Sequence, residues 1–313
     1  MTDLLYNLPP DPILERRAAI QRLAAQSLRR RQSFSRGFEF AMAIALIISL
    51  IPLVSILYSL ISKGWRYLSI PFISGLPPKG YAVLSSIGGI RNAVIGTVVI
   101  VGLAAIVAIP VGITTAIYLS ESNGRVANTL RAAVEIMTGM PSILLGVFAA
   151  EIIVTRMNHQ YSGIAGSFAL SILIVPVIAK SSELALRGVP QTLREAGLAL
   201  GARPSKVTRG IILPAALPGI ITGTLLSLAR AMGETAPVLL VTGYGSGILN
   251  LNPLGTMISM PLQIYKWNQF PDPTTSSQEE SAVWGVALIL VLFIMVLSIG
   301  SRLVAARMRR ERR

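Results

Sequence analysis

The chain has 313 residues, of which 52% are hydrophobic and only 13% are charged, and its mean hydropathy is +0.64. This composition excludes an ordinary soluble globular domain and is typical of an integral membrane protein. The formal net charge of +14 would favour nucleic acid only on a soluble domain, whereas here the basic residues cluster beside apolar segments, so we expect no nucleic-acid binding. The absence of cysteine excludes disulfides and thiolate metal sites.

Residues 1–38 form a polar segment, rich in arginine, that precedes the first apolar run. We predict a basic cytoplasmic tail here, and the pattern leaves open whether it is an amphipathic helix on the anionic inner leaflet or a disordered segment. The segment is too long and too charged for a cleaved signal peptide. The first apolar run is therefore expected to be an uncleaved membrane anchor.

Six apolar segments follow and predict an all-α, polytopic membrane helix bundle, with residues 39–313 as the transmembrane domain. A helix needs about 20 residues to cross the hydrocarbon core, and the fourth segment is the shortest of the six. Lipid offers no partners to backbone groups, so helices are the expected spanning structure. The predicted spans are residues 40–61, 92–119, 132–154, 163–179, 211–232 and 283–303.

The distribution of basic residues predicts how this bundle is oriented. Of the 28 Lys and Arg residues, 21 lie in the N-terminal tail, the loops after the second and fourth spans, and the C-terminal tail. Basic segments are retained in the cytoplasm, so both termini and the loop of about 181–212 are predicted to be cytoplasmic. Segments 62–91 and 236–282 are then long external loops, whose aromatic residues are expected at the lipid headgroups.

The loop of about 181–212 has the pattern of a short helix, a break and a second short helix. Apolar and small residues at 193, 196, 198 and 200 make one helical face. Gly201 can end this helix, and Pro204 can occupy the first turn of the next one. Such an element at the cytoplasmic end of a membrane bundle is expected to be a binding surface for a soluble partner.

A second candidate site lies near the outer end of the fifth span. An arginine at the centre of a membrane helix costs roughly 2.5–3.5 kcal/mol, so Arg230 is expected to face a cavity or pathway. Glu234 lies four residues later and shares its helical face, and Thr235 follows directly. A guanidinium offers two parallel N–H donors to a tetrahedral oxyanion. The alternatives are an arginine that reaches the outer headgroups and an ion pair that only fixes the fifth helix.

Other residue patterns indicate little chemistry. The chain has no G-x-x-x-x-G-K-[ST] loop, so we do not expect it to hydrolyse ATP. His159 is the only histidine and is expected to be a solvated loop side chain, and no transition-metal site is expected. Glu135 and Glu151 are expected at helix ends, and residues 139–142 are expected to be a packing point inside the third span.

Two sequence runs resemble a known family. The loop is similar to that of ABC importer membrane subunits, which carry E-A-A, three residues, G, nine residues and I-x-L-P. The matching residues here are Glu195, Ala196, Gly197 in place of the second alanine, Gly201, Ile211, Leu213 and Pro214. The run 230–237 resembles the A-type permease subunits of phosphate-specific importers (PstA family). Similar matches are Gly88, Gly89, Ile90, Gly96, Thr97, Gly139, Pro141, Ser142, Pro261, Gln263, Ile264 and Tyr265.

The resemblance implies a type I ABC importer permease fold and a subunit, not itself an enzyme, that moves inorganic phosphate by alternating access. The implied partners are a similar C-type permease subunit that completes a heterodimer, two copies of an ATPase subunit that bind ATP and Mg²⁺, and an external phosphate-binding protein. The implied location is the bacterial cytoplasmic membrane, and no cofactor is expected on this chain. The implied ATPase-coupling residues are Arg194, Glu195, Ala196, Gly197, Gly201 and Pro204.

The resemblance also implies that Arg230 belongs to the phosphate path, with Glu234 and Thr235 beside it. Three alternatives stay open at this point. The chain is a permease for another oxyanion such as sulfate or molybdate, a secondary transporter or channel that needs no ATPase, or a membrane anchor or sensor subunit.

Overall fold

The computed structural model describes residues 12–77, 87–157, 160–243 and 249–310, and all regular secondary structure in these ranges is helical. The prediction for His159 concerns a residue outside these ranges. The helices are α1 (Pro12–Gly64), α2 (Ile70–Ser74), α3 (Arg91–Glu121), α4 (Arg125–Gly139), α5 (Ser142–Ala149), α6 (Gly163–Arg187), α7 (Gln191–Ala199), α8 (Pro204–Val207), α9 (Leu213–Ala231), α10 (Ala236–Thr242), α11 (Met260–Gln269) and α12 (Ser276–Arg310).

The chain consists of two compact units, Met1–Ser59 and Leu60–Arg313, and their boundary falls within α1. In the first unit, α1 continues without interruption past residue 38, where the basic tail was predicted to end. The sequence left open whether that tail is a helix or a disordered segment, and the structure has a helix from Pro12 onward. The second unit contains the bundle from α2 to α12 and both candidate sites.

Five helices in the described ranges are long and apolar enough to cross a membrane. The predicted fourth span, expected to be the shortest, extends to Arg187 and is the most deeply buried of the five. The predicted third span is not continuous, because α4 and the following helical segment, Ser142–Arg156, are bent by 102° at their junction. The described residues therefore contain six candidate spans only if this bent pair counts as one. The five continuous spans are Gly37–Tyr67, Arg91–Glu121, Gly163–Arg187, Pro204–Ala231 and Ser276–Leu303.

Pro141 explains the break between α4 and α5. A residue before proline is driven out of the helical conformation, and Met140 has φ −70° and ψ 138°. Pro141 is also non-helical, with ψ 130°, so two consecutive residues interrupt the helix. Gly139 is exposed, and no atom lies within 4 Å of the position that a Cβ would take there. The prediction that residues 139–142 pack helices together is therefore wrong, and the run is a helix break.

The core of the second unit is the long contact between α3 and α6. Ile100 and Ala104 of α3 are buried with Leu170 and Ile174 of α6 in one apolar cluster. The α9 helix also packs against α6, where small residues face each other and allow close approach. The facing pairs are Gly223 with Ser181 and Gly219 with Ala185.

The predicted external segment 236–282 begins with a buried helix. Val238, Val241 and Thr242 of α10 have at most 1% of their surface exposed, and α10 packs against α5 and α6. Pro237 lies in its first turn, where the missing N–H of proline costs nothing. Residues 236–242 are thus part of the bundle, whereas the sequence predicted a loop.

Later in the same segment, α11 is fixed to α3. The Ser259 side chain caps α11 by accepting a hydrogen bond from the Leu262 N–H at 3.4 Å. The Met260 N–H donates to Thr97 Oγ1 at 2.8 Å, and this contact is fully buried. Thr97 and Pro261, two residues that carried the family resemblance, therefore lie where α3 and α11 meet.

Candidate functional site

Arg230 lies in the last turn of α9, directly before a tight turn that leads into α10. The Gly233 N–H donates to the Arg230 carbonyl at 3.0 Å, and the Glu234 N–H donates to the Ala231 carbonyl at 3.1 Å. This turn brings the Glu234 carboxylate to 3.8 Å from Arg230 Nε. At that distance the charges attract each other without a hydrogen bond, so the N–H groups of the guanidinium remain available to an anion.

A small cavity of about 110 Å³ separates Arg230 from the helix break. It is far smaller than the roughly 300–1,000 Å³ of pockets for drug-sized ligands, so its scale is that of a small ion or a few waters. Arg230 and Glu234 form one wall. The opposite walls come from the break and from α6, and their residues are Met137, Thr138, Met140, Ser142, Leu145, Leu173 and Val177.

A larger and mostly apolar groove of about 470 Å³ lies on the other side of Arg230, between α6, α9 and α12. Ser181 and Ser227 are among its lining residues. Their hydroxyls donate to the carbonyls of Ile178 and Gly223, so they present oxygen lone pairs and not donors to the groove. Arg230 is thus the charged group between two cavities.

The structure brings together two of the three predicted pathway residues. Arg230 and Glu234 share the small cavity, and 64% of the Arg230 side chain is exposed against 17% for Glu234. Thr235 lies at the start of α10 and is not among the residues that line either cavity. In the described ranges, no group of three or more His, Asp or Glu residues could hold a metal ion.

The predicted helix–break–helix pattern of the loop is confirmed. Gly201 follows α7 with φ +77°, a left-handed conformation that favours glycine, and its N–H donates to the Leu198 carbonyl at 2.9 Å. Pro204 is the first residue of α8. The loop is shorter than predicted, because α6 continues to Arg187 and α8 continues through a π-helical turn, Thr208–Ile212, into α9.

The residues of α7 face in two directions. Gly197 is buried, and a Cβ there would come within 2.8 Å of Ile211 and 3.0 Å of Val207. Its position explains why a small residue is needed there. Glu195, Ala196 and Pro204 are exposed, and so is Leu200, which has 89% of its surface accessible. These exposed residues form the outer face of the loop.

Arg194, the remaining predicted coupling residue, is turned toward the bundle. Its guanidinium binds both carboxylate oxygens of Glu121, at the end of α3, with distances of 2.5 and 2.8 Å. These hydrogen bonds raise the pKa of the Arg194 guanidinium above its ordinary value, so it stays charged at any working pH. Only about a quarter of either side chain is exposed.

The sequence profile of the family described as "Binding-protein-dependent transport system inner membrane component" matches residues 108–310 of the chain. The chain belongs to this family. Among curated relatives, "Phosphate transport system permease protein PstA 1" of Mycobacterium tuberculosis is 37% identical over 294 residues, which cover 91% of this chain and 92% of the relative. "Phosphate transport system permease protein PstA" of Haemophilus influenzae is 36% identical, with 83% and 89% covered.

Solved structures show the same fold for this permease. A chain of the MetNI methionine ABC transporter in an inward-facing conformation matches with a TM-score of 0.53 and 21% identity, covering 70% of this permease and 94% of that chain. A chain of a bacterial alginate ABC transporter matches with a TM-score of 0.57 and 15% identity, covering 87% and 93%. The prediction of an all-α type I importer permease is thus confirmed, and the chain is a multi-pass transport subunit rather than an enzyme.

Two parts of the site in this permease were not predicted from its sequence. The wall opposite Arg230 includes Thr138 and Ser142, which precede it by about 90 residues. Thr138 carried no signal, and Ser142 was singled out in the run 139–142 and in the family resemblance without an indication that it lines a cavity. Glu121 carried no signal either, because a single acid at the end of an apolar segment is common at helix ends.

Proposed function

We propose that this permease is the A-type membrane subunit of an ATP-driven importer that moves inorganic phosphate across the bacterial cytoplasmic membrane. The observation that carries the proposal is the 37% identity, over 91% of the chain, to a relative named as a phosphate transport system permease protein. The position of Arg230 beside a cavity of ionic size supports it from the structure.

The chemistry of the pathway follows from Arg230 and Glu234. The guanidinium binds the oxyanion through two parallel N–H donors as the anion loses its hydration. Glu234, 3.8 Å away, balances the charge of Arg230 when no anion is present. When phosphate enters, the carboxylate accepts a hydrogen bond from a phosphate hydroxyl. Sulfate lacks that hydroxyl at neutral pH and is repelled by the carboxylate, so the pair also selects between oxyanions.

The exposure of Arg230 supports a second permease subunit as partner. With 64% of its side chain exposed in this chain alone, Arg230 would face lipid at a considerable free-energy cost. A C-type permease subunit that covers this face removes the cost and forms a pathway between two similar halves. Thr235 follows Glu234 directly, and we propose that it lies at the edge of the interface with the C-type subunit.

The outer face of the loop is the proposed contact with the ATPase. Glu195, Ala196, Gly201 and Pro204 are exposed there, and Leu200 projects as an apolar anchor of the kind that fills pockets in protein interfaces. Each permease subunit engages one of two ATPase copies, which bind ATP and Mg²⁺, and an external binding protein delivers phosphate from the opposite side. Both termini and the loop are cytoplasmic in this arrangement, as the basic residues predict.

Transport by the reconstituted importer tests the proposal. We expect labelled phosphate to enter liposomes that contain both permease subunits, the ATPase and the binding protein, only when ATP is on the side of the loop. Excess sulfate or molybdate should leave this uptake unchanged. Uptake without ATP would instead support a secondary transporter, and inhibition by sulfate or molybdate would support a permease for another oxyanion.

A further inference from the structure

Three arginines from different helices converge on the C-terminal end of α3. The last carbonyl groups of a helix have no partner within the helix and carry partial negative charge, so cations bind there favourably. Arg131 comes from α4, Arg187 from α6 and Arg194 from α7. The end of α3 therefore joins three other elements of the unit.

Two of these arginines share one acid and one carbonyl. Arg131 Nε lies 3.3 Å from Glu183 Oε1, and an Arg187 nitrogen lies 2.9 Å from the same oxygen. Both guanidiniums also donate to the Leu119 carbonyl, at 3.0 and 3.3 Å. Glu183 has only 8% of its surface exposed, whereas 26% of the Arg131 side chain and 47% of the Arg187 side chain are exposed. The network therefore joins α3, α4 and α6 around one buried carboxylate.

The third arginine connects α7 to the same end of α3. Within α7, all of which the structure describes, Gly197 is the only buried residue and contacts Val207 and Ile211. Arg194 lies one turn earlier on the same face and binds Glu121 with both prongs of its guanidinium. One apolar contact alone would let α7 rotate, whereas the second, bidentate contact fixes its orientation relative to α3.

The α3 helix extends from this end to the candidate pathway. Its 31 residues span roughly 45 Å at 1.5 Å per residue. Ile100 and Ala104 pack in the same apolar cluster as Ala231, the neighbour of Arg230, and Leu145, which lines the small cavity. A displacement of α3 at Glu121 is thus transmitted to the walls of that cavity, because packed interiors deform little.

We propose that the ion pair between Arg194 and Glu121 is a mechanical link that passes movement of α7 to α3. Arg194 acts here as a positioning residue, and Glu121 gains a role that no sequence pattern indicated. The inference rests on the proposed function, since it assumes an ATPase that moves α7. Without the link, the ATPase still binds the outer face of the loop and hydrolyses ATP, but fewer turnovers move phosphate.

The test compares phosphate uptake with ATP hydrolysis in the same sample of the reconstituted importer. We expect Glu121→Gln to lower the ratio of phosphate moved to ATP hydrolysed by about five-fold, the lower end of typical coupling between sites. The matched control is Glu151→Gln, which removes the exposed pair between Glu151 and Arg156 at 3.2 Å and should leave the ratio unchanged. Equal ratios in Glu121→Gln and the wild type would overturn the link.

The absence of native cysteine allows a second, reversible test. In the double variant Glu121→Cys, Arg194→Cys, a short reducible thiol-to-thiol crosslinker should restore the ratio, and reduction should lower it again. Either single variant treated in the same way should not recover. If Glu121→Gln fails to assemble, this comparison decides, and equal ratios before and after reduction would overturn the link. Failure of the proposed function is separate, because it appears in the wild type as absent ATP-dependent uptake.

Discussion

Arg230 and Glu234 form a charge pair at the end of a membrane helix. Their opposite charges offset each other, but no hydrogen bond joins the two side chains. Their 3.8 Å separation leaves the guanidinium donors available, while the carboxylate limits the cost of the charge. The same pair would be a poor structural clamp, since no hydrogen bond joins the two groups. This geometry favours a role in anion passage over the alternative that the pair only fixes the fifth span.

Substitution of Arg230 should separate its charge from its shape. We expect Arg230→Ala to lower phosphate uptake by at least about ten-fold, since a hydrogen bond to a charged group contributes roughly 1.5–3 kcal/mol. Arg230→Lys keeps the charge but loses the parallel donors, so its uptake should be intermediate. Labelled phosphate uptake at matched protein levels measures both effects, and wild-type rates in both variants would remove Arg230 from the pathway.

Substitution of Glu234 should change selectivity more than rate. In Glu234→Gln the neutral amide no longer repels sulfate, and it offers a donor as well as an acceptor. We expect excess sulfate to inhibit phosphate uptake by this variant and not by the wild type. An unchanged response to sulfate would show that Glu234 only balances the charge of Arg230.

The spacing of four residues predicted that Arg230 and Glu234 lie close together, on the assumption that the helix continues. In the structure α9 ends at Ala231, and a tight turn instead of a shared helical face brings the Glu234 carboxylate to 3.8 Å from Arg230 Nε. The opposite wall was not predictable. Thr138 and Ser142 reach the cavity only because α4 and α5 bend by 102°, and a bend angle depends on the packing around the break. The partner of Arg194 escaped prediction for the same reason, since Glu121 is 73 residues away.

At the scale of single elements, the loop depends on the left-handed conformation of Gly201. An L-residue with a side chain costs roughly 1–2 kcal/mol in that conformation, so Gly201→Ala should fray the end of α7. We expect backbone amides of α7 to exchange hydrogen about five- to thirty-fold faster in this variant, because 1.4 kcal/mol corresponds to a factor of ten. Mass spectrometry of the purified permease measures this exchange.

Gly210 provides the matched control for that variant. It lies in the same loop region, has no atom within 4 Å of the position of a Cβ, and lies in the π-helical turn without a positive φ. Gly210→Ala should leave the exchange of α7 unchanged. Equal exchange rates in Gly201→Ala and Gly210→Ala would contradict the conformational explanation.

Long elements were predictable from their length, and short ones only where a local signal marked them, as Gly201 and Pro204 mark α7 and α8. Apolar runs of about 20 residues located five of the spans, because crossing the hydrocarbon core sets a minimum length. The seven residues of α10 are too few for that signal, and a short apolar run does not distinguish a buried helix from other structures. Pro141 predicts a kink in the third span, but not the sharp bend that the chain makes between α4 and α5.

At the scale of the whole molecule, charged residues and apolar packing have different roles. The basic residues, 21 of 28, lie on what is predicted to be one side, where three of them hold the end of α3 and others surround the loop. The apolar cluster of α3 and α6 connects this end to the cavity of Arg230. Under the proposed function, a partner ATPase supplies the energy for movement through that connection.

The most direct test of this account is site-specific crosslinking from the outer face of the loop. Because the chain has no cysteine, Glu195→Cys introduces a single thiol. We predict that membrane-impermeant reagents reach this thiol only from the cytoplasmic side, and that a crosslinker joins it to the ATPase subunit of the assembled importer. Labelling of the thiol at position 195 from the external side would contradict the account. Failure of the crosslinker to join that thiol to an ATP-hydrolysing subunit would contradict it as well.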